Sequence, residues 1–305
     1  MIHSIIWLPA TLLAGLLQAW RTAVQQRLRT MISVSGAGLV RYLYGLPIGI
    51  VLLMAYMSWR HVSLPAGSFI FFIDAAVAAI AQILATILLI AAFGHRNFVV
   101  GTAFAKTEVV QVALFAWLVL GEHLSLWVML AIGCGITGVL ILTLWGQALQ
   151  SQSILKVFIS PAARCGLGAG TLFAITSVFV KRATHDLNVN DPTFAALISL
   201  VVVMFIQTVV HSAWLAVRDP ETLKRAINTW RVSLQVGVLA SLGSACWFIG
   251  FANAPVALVR VVGQIEVVFT LLFAHWYLRE KTSVHESFAL ILIVAGVVLA
   301  LIGSL

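Results

Sequence analysis

Residues 108–139 read EVVQVALFAWLVLGEHLSLWVMLAIGCGITGV, and residues 266–297 read EVVFTLLFAHWYLREKTSVHESFALILIVAGV. At a shift of 158 residues, 12 of the 32 aligned positions are identical and no gap is needed. Glu108 falls on Glu266, Glu122 on Glu280, Ser125 on Ser283, and Gly138-Val139 on Gly296-Val297. An apolar composition produces Leu-on-Val matches readily, but it seldom aligns two carboxylates and a serine at one spacing. The pattern is an internal duplication. An earlier match, Gly15-Leu16-Leu17-Gln18-Ala19 with Gly170-Thr171-Leu172-Phe173-Ala174 at an offset of 155, carries it toward the start of each copy.

The rest of the chain explains what is duplicated. It is 62% hydrophobic and 9% charged, with a mean hydropathy of +1.07. A soluble protein carries roughly a quarter charged residues, so this chain is built for lipid. Segments of about 20 apolar residues cross a hydrocarbon layer as helices. Ten are predicted, near residues 3–26, 37–58, 69–93, 98–120, 125–146, 164–180, 193–217, 232–253, 256–278 and 284–304. Barrel strands are excluded because they are shorter and alternate in polarity. The first run has no basic leader and ends at Gln25-Gln26-Arg27, which reads as a retained helix and not as a cleaved signal.

The expected fold is therefore an all-α integral membrane protein of ten transmembrane helices in two five-helix repeats. An odd number of spans per copy inserts the second copy from the opposite side, giving inverted repeats related by an axis in the membrane plane. Residues 1–146 form the first repeat, 147–163 the linker and 164–305 the second. Apolar positions among 154–159 suit a short interfacial helix. Ser125 and Ser283 are placed to cap the helices that follow them. Gly45-x-x-x-Gly49 and Gly166-x-x-x-Gly170 suit close helix approach. Pro47 is expected to mark a kink and Pro255 a helix start.

The net charge of +8 lies mostly in loops. With no soluble basic domain to present it, nucleic acid is excluded as a partner and lipid headgroups account for the charge. Arg27, Arg29, Arg96, Lys156, Arg164, Arg218, Lys224, Arg225, Arg231, Arg279 and Lys281 fall on one side, against Arg60, Lys181 and Arg182 on the other. This bias puts both termini outside the cytoplasm. Cys134, Cys165 and Cys246 show no paired spacing and read as small apolar fillers.

Charges inside the spans carry the functional argument. Glu108 and Glu266 each lie about eleven residues into a predicted span, close to the midplane. A charge there costs at least ~2.5–3.5 kcal/mol on insertion scales, so it faces a partner or a wet cavity. The two readings are a structural carboxyl bonded between helices and a pair of equivalent sites that bind a proton or a substrate ammonium in turn. Lys106 and Gln264 occupy equivalent positions, each two residues before its glutamate. Two residues along a helix rotate by ~200°, so Lys106 and Glu108 do not share a face and Lys106 needs another partner. On the first span, Gln18, Arg21, Thr22, Gln25 and Arg29 form a polar stripe, which reads as a cavity wall in preference to a polar helix contact. Arg41 and Asp74 start from opposite sides and are not expected to pair; Arg41 and Arg260 are expected to snorkel. His211 and His275 receive no role.

The endings GEHLS after the fourth span and REKTS after the ninth, with LVRVVGQIEVVFTLLFAHWYLREKTSVHE, QAWRTAVQQRL and VRYLYGLP, resemble the drug/metabolite transporter superfamily, and specifically EamA-type permeases. The resemblance covers nearly the whole chain and is more specific for fold than for substrate. It implies a bacterial inner-membrane carrier, monomer or homodimer, that exports amino acids or related metabolites by alternating access. It also implies termini in the cytoplasm, opposite to the charge count.

The function expected from these readings is secondary active transport of a small polar metabolite, with protons as a second partner. Glu108, Glu266, Lys106, Gln264, Gln18, Arg21 and Gln25 are the candidate binding residues, and Trp20, Phe93, Trp117 and Phe251 are candidate apolar walls. The alternatives are efflux of amphipathic cations or lipid-like compounds, a passive channel, and a membrane-embedded enzyme. Against the last, the chain has no His-Glu-x-x-His pattern, since His285-Glu286 is followed by Ser287-Phe288-Ala289-Leu290. It also lacks a Gly-x-Ser-x-Gly elbow and a P-loop, so no cofactor, metal or nucleotide is expected.

Overall fold

The computed structural model describes residues 5–28, 32–94, 104–144, 160–278 and 284–303. The helices among them are α1 Trp7–Leu28, α2 Val34–Leu43, α3 Gly45–Arg60, α4 Phe69–Gly94, α5 Glu108–Leu120, α6 Leu126–Leu144 and α7 Pro161–Asp186. They continue with α8 Pro192–Arg218, α9 Pro220–Asn228, α10 Trp230–Asn253, α11 Val256–Gly263, α12 Ile265–Leu278 and α13 Val284–Ile302. No strand occurs among the described residues. Five helical segments are long and apolar enough to cross a membrane: Val34–Arg60, Phe69–Leu89, Pro161–Asp186, Pro192–Arg218 and Trp230–Asn253. Leu126–Ile141 and Ile291–Ile302 are shorter apolar helices. The predicted interfacial helix at 154–159, Arg29, Arg96 and Ser283 lie outside the described residues, as do the side chains of Phe93, His275 and Glu280.

The helix ends follow their sequence signals. Asp191 caps α8 by accepting from the amides of Thr193 and Phe194, with Pro192 preset at the first position. Ser33 caps α2 and Ser125 caps α6. Gly121 ends α5 at φ 66, the left-handed region open to glycine. Pro255 precedes α11, as expected.

Three predicted spans are broken where the sequence reads as one apolar run. Residues 37–58 divide at Tyr44 into α2 and α3. Pro47 explains this: it cannot donate to the carbonyl of Leu43, and its ring crowds that oxygen. The helix is interrupted for one residue at Tyr44 and then continues, and Val34–Arg60 remains one crossing segment. Residues 98–120 break at Thr107, whose amide reaches back three residues to Phe104 O (3.2 Å). Residues 256–278 break at Gln264, whose amide reaches Val261 O (3.1 Å) in the same three-residue manner. The second and third breaks fall within one residue of equivalent positions in the duplicated pattern. Glu108 and Glu266 therefore sit not in mid-helix but in the first turns of α5 and α12.

The chain packs as two compact units, and each draws on both halves of the sequence. The first is residues 1–83 with 179–254, and the second is residues 84–178 with 255–305. In the first unit, α1 packs along α10, and α2, α3, α8 and α10 pack together. Its core includes Leu28, Leu39, Val40, Leu215 and Val236, with Tyr44 and Leu223 against it. Close approach at Gly45 and Gly49 brings α3 onto Ser241 of α10. Asp74 pairs with Arg182 (2.9 Å) and not with Arg41, as expected.

In the second unit, α6 packs along α13 and α11 packs against α5 and α13. A Cβ at Gly138 would stand 2.8 Å from Ala289 O, and one at Gly296 would stand 2.9 Å from Ala131 O. Gly138 and Gly296 are equivalent in the duplication, and so are Ala131 and Ala289. The late part of each helix thus meets the early part of the other, so α6 and α13 run antiparallel and make the same contact twice. A local two-fold axis across the helix axes produces this reciprocity.

Candidate functional site

The second unit holds a cluster of four charges. Arg260, on α11, donates from Nη1 to Glu108 Oε1 (3.2 Å) and from Nε and Nη2 to Ser177 Oγ (3.0 and 2.6 Å). Ser177 in turn donates to Phe173 O (2.9 Å), which fixes its hydroxyl within α7. Lys106 donates from Nζ to Glu266 Oε2 (3.4 Å). Lys106 also lies in the field of Glu108 and Arg260, so the two pairs form one electrostatic group. The side chains of Arg260, Glu108 and Glu266 are 13–15% exposed and that of Lys106 is 29% exposed.

The helix breaks position these groups. Each glutamate lies in the first turn of the helix that follows its break. Thr107 turns its hydroxyl onto Phe104 O (2.6 Å), and Gln111 reaches back to Thr107 Oγ1 (3.2 Å). Thr171 on α7 donates to Gln111 Oε1 (2.6 Å). Beside it, a Cβ on Gly170 would stand 3.0 Å from Ala105 O and 3.4 Å from the amide of Glu108. The small residue lets α7 close on the break and brings Ser177, two turns along, to Arg260.

Gln264 belongs to the same region but has a different environment. It is 6% exposed, and neither its Oε1 nor its Nε2 has a hydrogen-bond partner among the described residues. Its amide lies against Gly135 of α6, where a Cβ would collide with it.

The structure brings Lys106, Glu108 and Glu266 together and corrects the reading of Arg260, which does not snorkel. Two half-buried carboxylates need two cations, and in sequence neither is assigned one, which leaves Lys106 without a named partner and Arg260 set aside. That shortfall was the signal that Arg260 belonged to the group. Gln18, Arg21 and Gln25 lie in the first unit. Gln18 Oε1 accepts from Trp247 Nε1 (3.0 Å), and Gln25 Nε2 donates to Ala37 O (2.7 Å), so these two serve as polar helix contacts. Among the apolar candidates, Phe251 is buried and stacked on Trp247, a core role. Trp20 is half exposed. Trp117 lines a cavity of about 460 Å³ with Val110, Leu114, Glu122, His123 and Met129, and none of the four clustered charges lines it. Glu122 accepts from the amide of Val256 (2.9 Å) and so caps α11. His211 is buried and paired with Ser35 (3.0 Å). The three cysteines are half-buried and unbonded to one another, and no group of potential metal ligands occurs among the described residues.

No curated protein matches the chain. A solved structure described only as a crystal structure of a protein superposes with a TM-score of 0.70 at 17% identity, covering 96% of this chain and 98% of that one. That likeness concerns the fold alone. Residues 161–302 match the EamA-like transporter family. EamA and drug/metabolite transporter family members are transporters and not enzymes. The second half of the chain, residues 161–302, is thus similar to the EamA-like transporter family, a likeness consistent with the drug/metabolite transporter superfamily.

Proposed function

We propose that this membrane transporter is a secondary carrier that moves a small zwitterionic metabolite by alternating access, with Glu108, Glu266, Lys106 and Arg260 as its polar site. The observation that carries the reading is the crossed pairing. Glu108 of one copy holds Arg260 of the other, and Glu266 of the second holds Lys106 of the first. Two acids balanced by two bases leave no surplus negative charge to draw in an amphipathic cation. A zwitterion answers that balance: its carboxylate takes a cation, its ammonium takes the released glutamate, and no net charge is buried at any stage. Protonation of a glutamate would be a second way to release a pair.

The inverted arrangement of two five-helix repeats belongs to this proposal, supported by the reciprocal Gly138–Ala289 and Gly296–Ala131 contacts. So do export as the direction and the bacterial inner membrane as the location. Counterflow in proteoliposomes tests the substrate class, using amino acids, nucleosides and cationic drugs across pH. Saturable, stereoselective exchange of amino acids, lost in Glu266→Gln, is the expected result. Saturable exchange of cations alone, or unchanged amino-acid flux in Glu266→Gln, overturns it.

A further inference from the structure

The end of α8, the short helix α9 and the start of α10 form one continuous exposed surface outside the candidate site. The sequence PETLKRAIN gives α9 two faces. Thr222 and Ala226 are buried, Thr222 lies 3.0 Å from Ser33 Oγ, and α9 packs on α2. That contact turns Lys224 and Arg225 outward, and both are exposed, as are Arg218 before the helix and Arg231 after it. None of these four cations forms an ion pair among the described residues. Two acids, Asp219 and Glu221, lie beside them, so four cations against two acids leave a net charge of +2. Asp219 also caps α9, accepting from the Thr222 amide (3.1 Å) and hydroxyl (2.6 Å). Ile227 and Trp230 are each 53% exposed, and the Arg231 guanidinium stands 5.5 Å from the Trp230 ring.

A solvated loop would have no reason to present an isoleucine and a tryptophan, and a lipid-buried segment would not carry four cations. Both occur on the stretch from Arg218 to Arg231, where α9 joins two membrane-crossing helices. This is the chemistry of the boundary where acyl chains meet anionic headgroups. We propose that the α9 surface binds anionic phospholipid. Lys224, Arg225, Arg218 and Arg231 take the headgroup phosphates, and Ile227 and Trp230 sit among the first acyl carbons. The inference does not depend on what the protein transports.

Native mass spectrometry of the full-length protein in neutral detergent tests it, with phosphatidylglycerol and phosphatidylcholine of identical chains added in turn. The wild type is expected to retain phosphatidylglycerol preferentially. The combined variant Lys224→Gln, Arg225→Gln, Arg231→Gln should lose that binding by about tenfold or more. The charge-conserving pair Lys224→Arg, Arg225→Lys and the distant Arg60→Gln should keep it. Equal retention of the two lipids by the wild type, or undiminished phosphatidylglycerol binding in the triple variant, overturns the proposal. Should the triple variant fail to fold, quenching in wild-type proteoliposomes decides. Brominated phosphatidylglycerol should quench more than brominated phosphatidylcholine, and Trp230→Phe should remove the difference; equal quenching overturns the proposal.

Discussion

Lys106 and Glu266 stand 160 residues apart in the chain and 3.4 Å apart in space, one from each copy of the duplicated pattern. Glu108 makes the complementary choice with Arg260. Each glutamate takes its ion-pair partner from the other copy, so the charges tie the two copies together. Breaking either pair should disturb both, because Lys106 interacts with all three other members.

Glu266→Gln removes the partner of Lys106 while preserving shape. The partial exposure of the pair limits the cost in stability to about 1–3 kcal/mol. Flux should fall far more than stability. Thermal unfolding in detergent beside counterflow separates the two effects, and a variant as active as the wild type would remove Glu266 from the mechanism.

Arg260→Lys keeps the charge but not the fork that reaches Ser177 and Glu108 together. Lysine offers a single point of attachment. Transport should drop by about tenfold or more, corresponding to roughly 1.4 kcal/mol, with expression and unfolding temperature little changed. Flux equal to the wild type would show that the fork is dispensable.

Gly138→Ala and Gly296→Ala place a methyl against a backbone carbonyl, at 2.8 Å from Ala289 O and 2.9 Å from Ala131 O. Backbone cannot step aside as a flexible side chain does, so each change should cost about 1–3 kcal/mol. Equivalence in the duplication predicts similar losses at both sites. A large loss at one and none at the other, measured by unfolding in detergent, would contradict the reciprocity.

The carboxyl of Asp219 is held below its usual value, first by the Thr222 hydroxyl, then by the Thr222 amide, with Arg225 adding to the effect. A depressed folded value means the capping contribution is fully present above the unfolded value of about 3.9 and is lost as pH falls through the folded one. The protection factors of the α9 amides, the intrinsic exchange rate at each pH divided by the observed one, should therefore hold at neutral pH and fall only in strong acid. Asp219→Asn should flatten that dependence.

Much of this fold was legible in the sequence, because hydropathy reports burial in lipid one segment at a time. The duplication and the equivalence of Glu108 and Glu266 were visible for a different reason, because two carboxylates and a serine recur at one spacing. The breaks at Thr107 and Gln264 were not, since neither carries a proline and the apolar run passes through both. Arg260 was misread because its partner lies 152 residues away in the other copy, and periodicity within one helix cannot register that. The stripe from Gln18 to Gln25 was visible as polar. Whether it faced a cavity or another helix depended on Trp247 and Ala37, which only folding brings to it.

The glycines at 138 and 296 also have a mechanical corollary. Main chain resting on main chain leaves no compliant layer, so α6 and α13 travel as a single strut. Within the second unit, bending then falls to the tightened turns at Thr107 and Gln264, each adjoining a carboxylate. A cargo that unfastens one of those acids would slacken the joint beside it, so that occupancy and movement share the same few atoms.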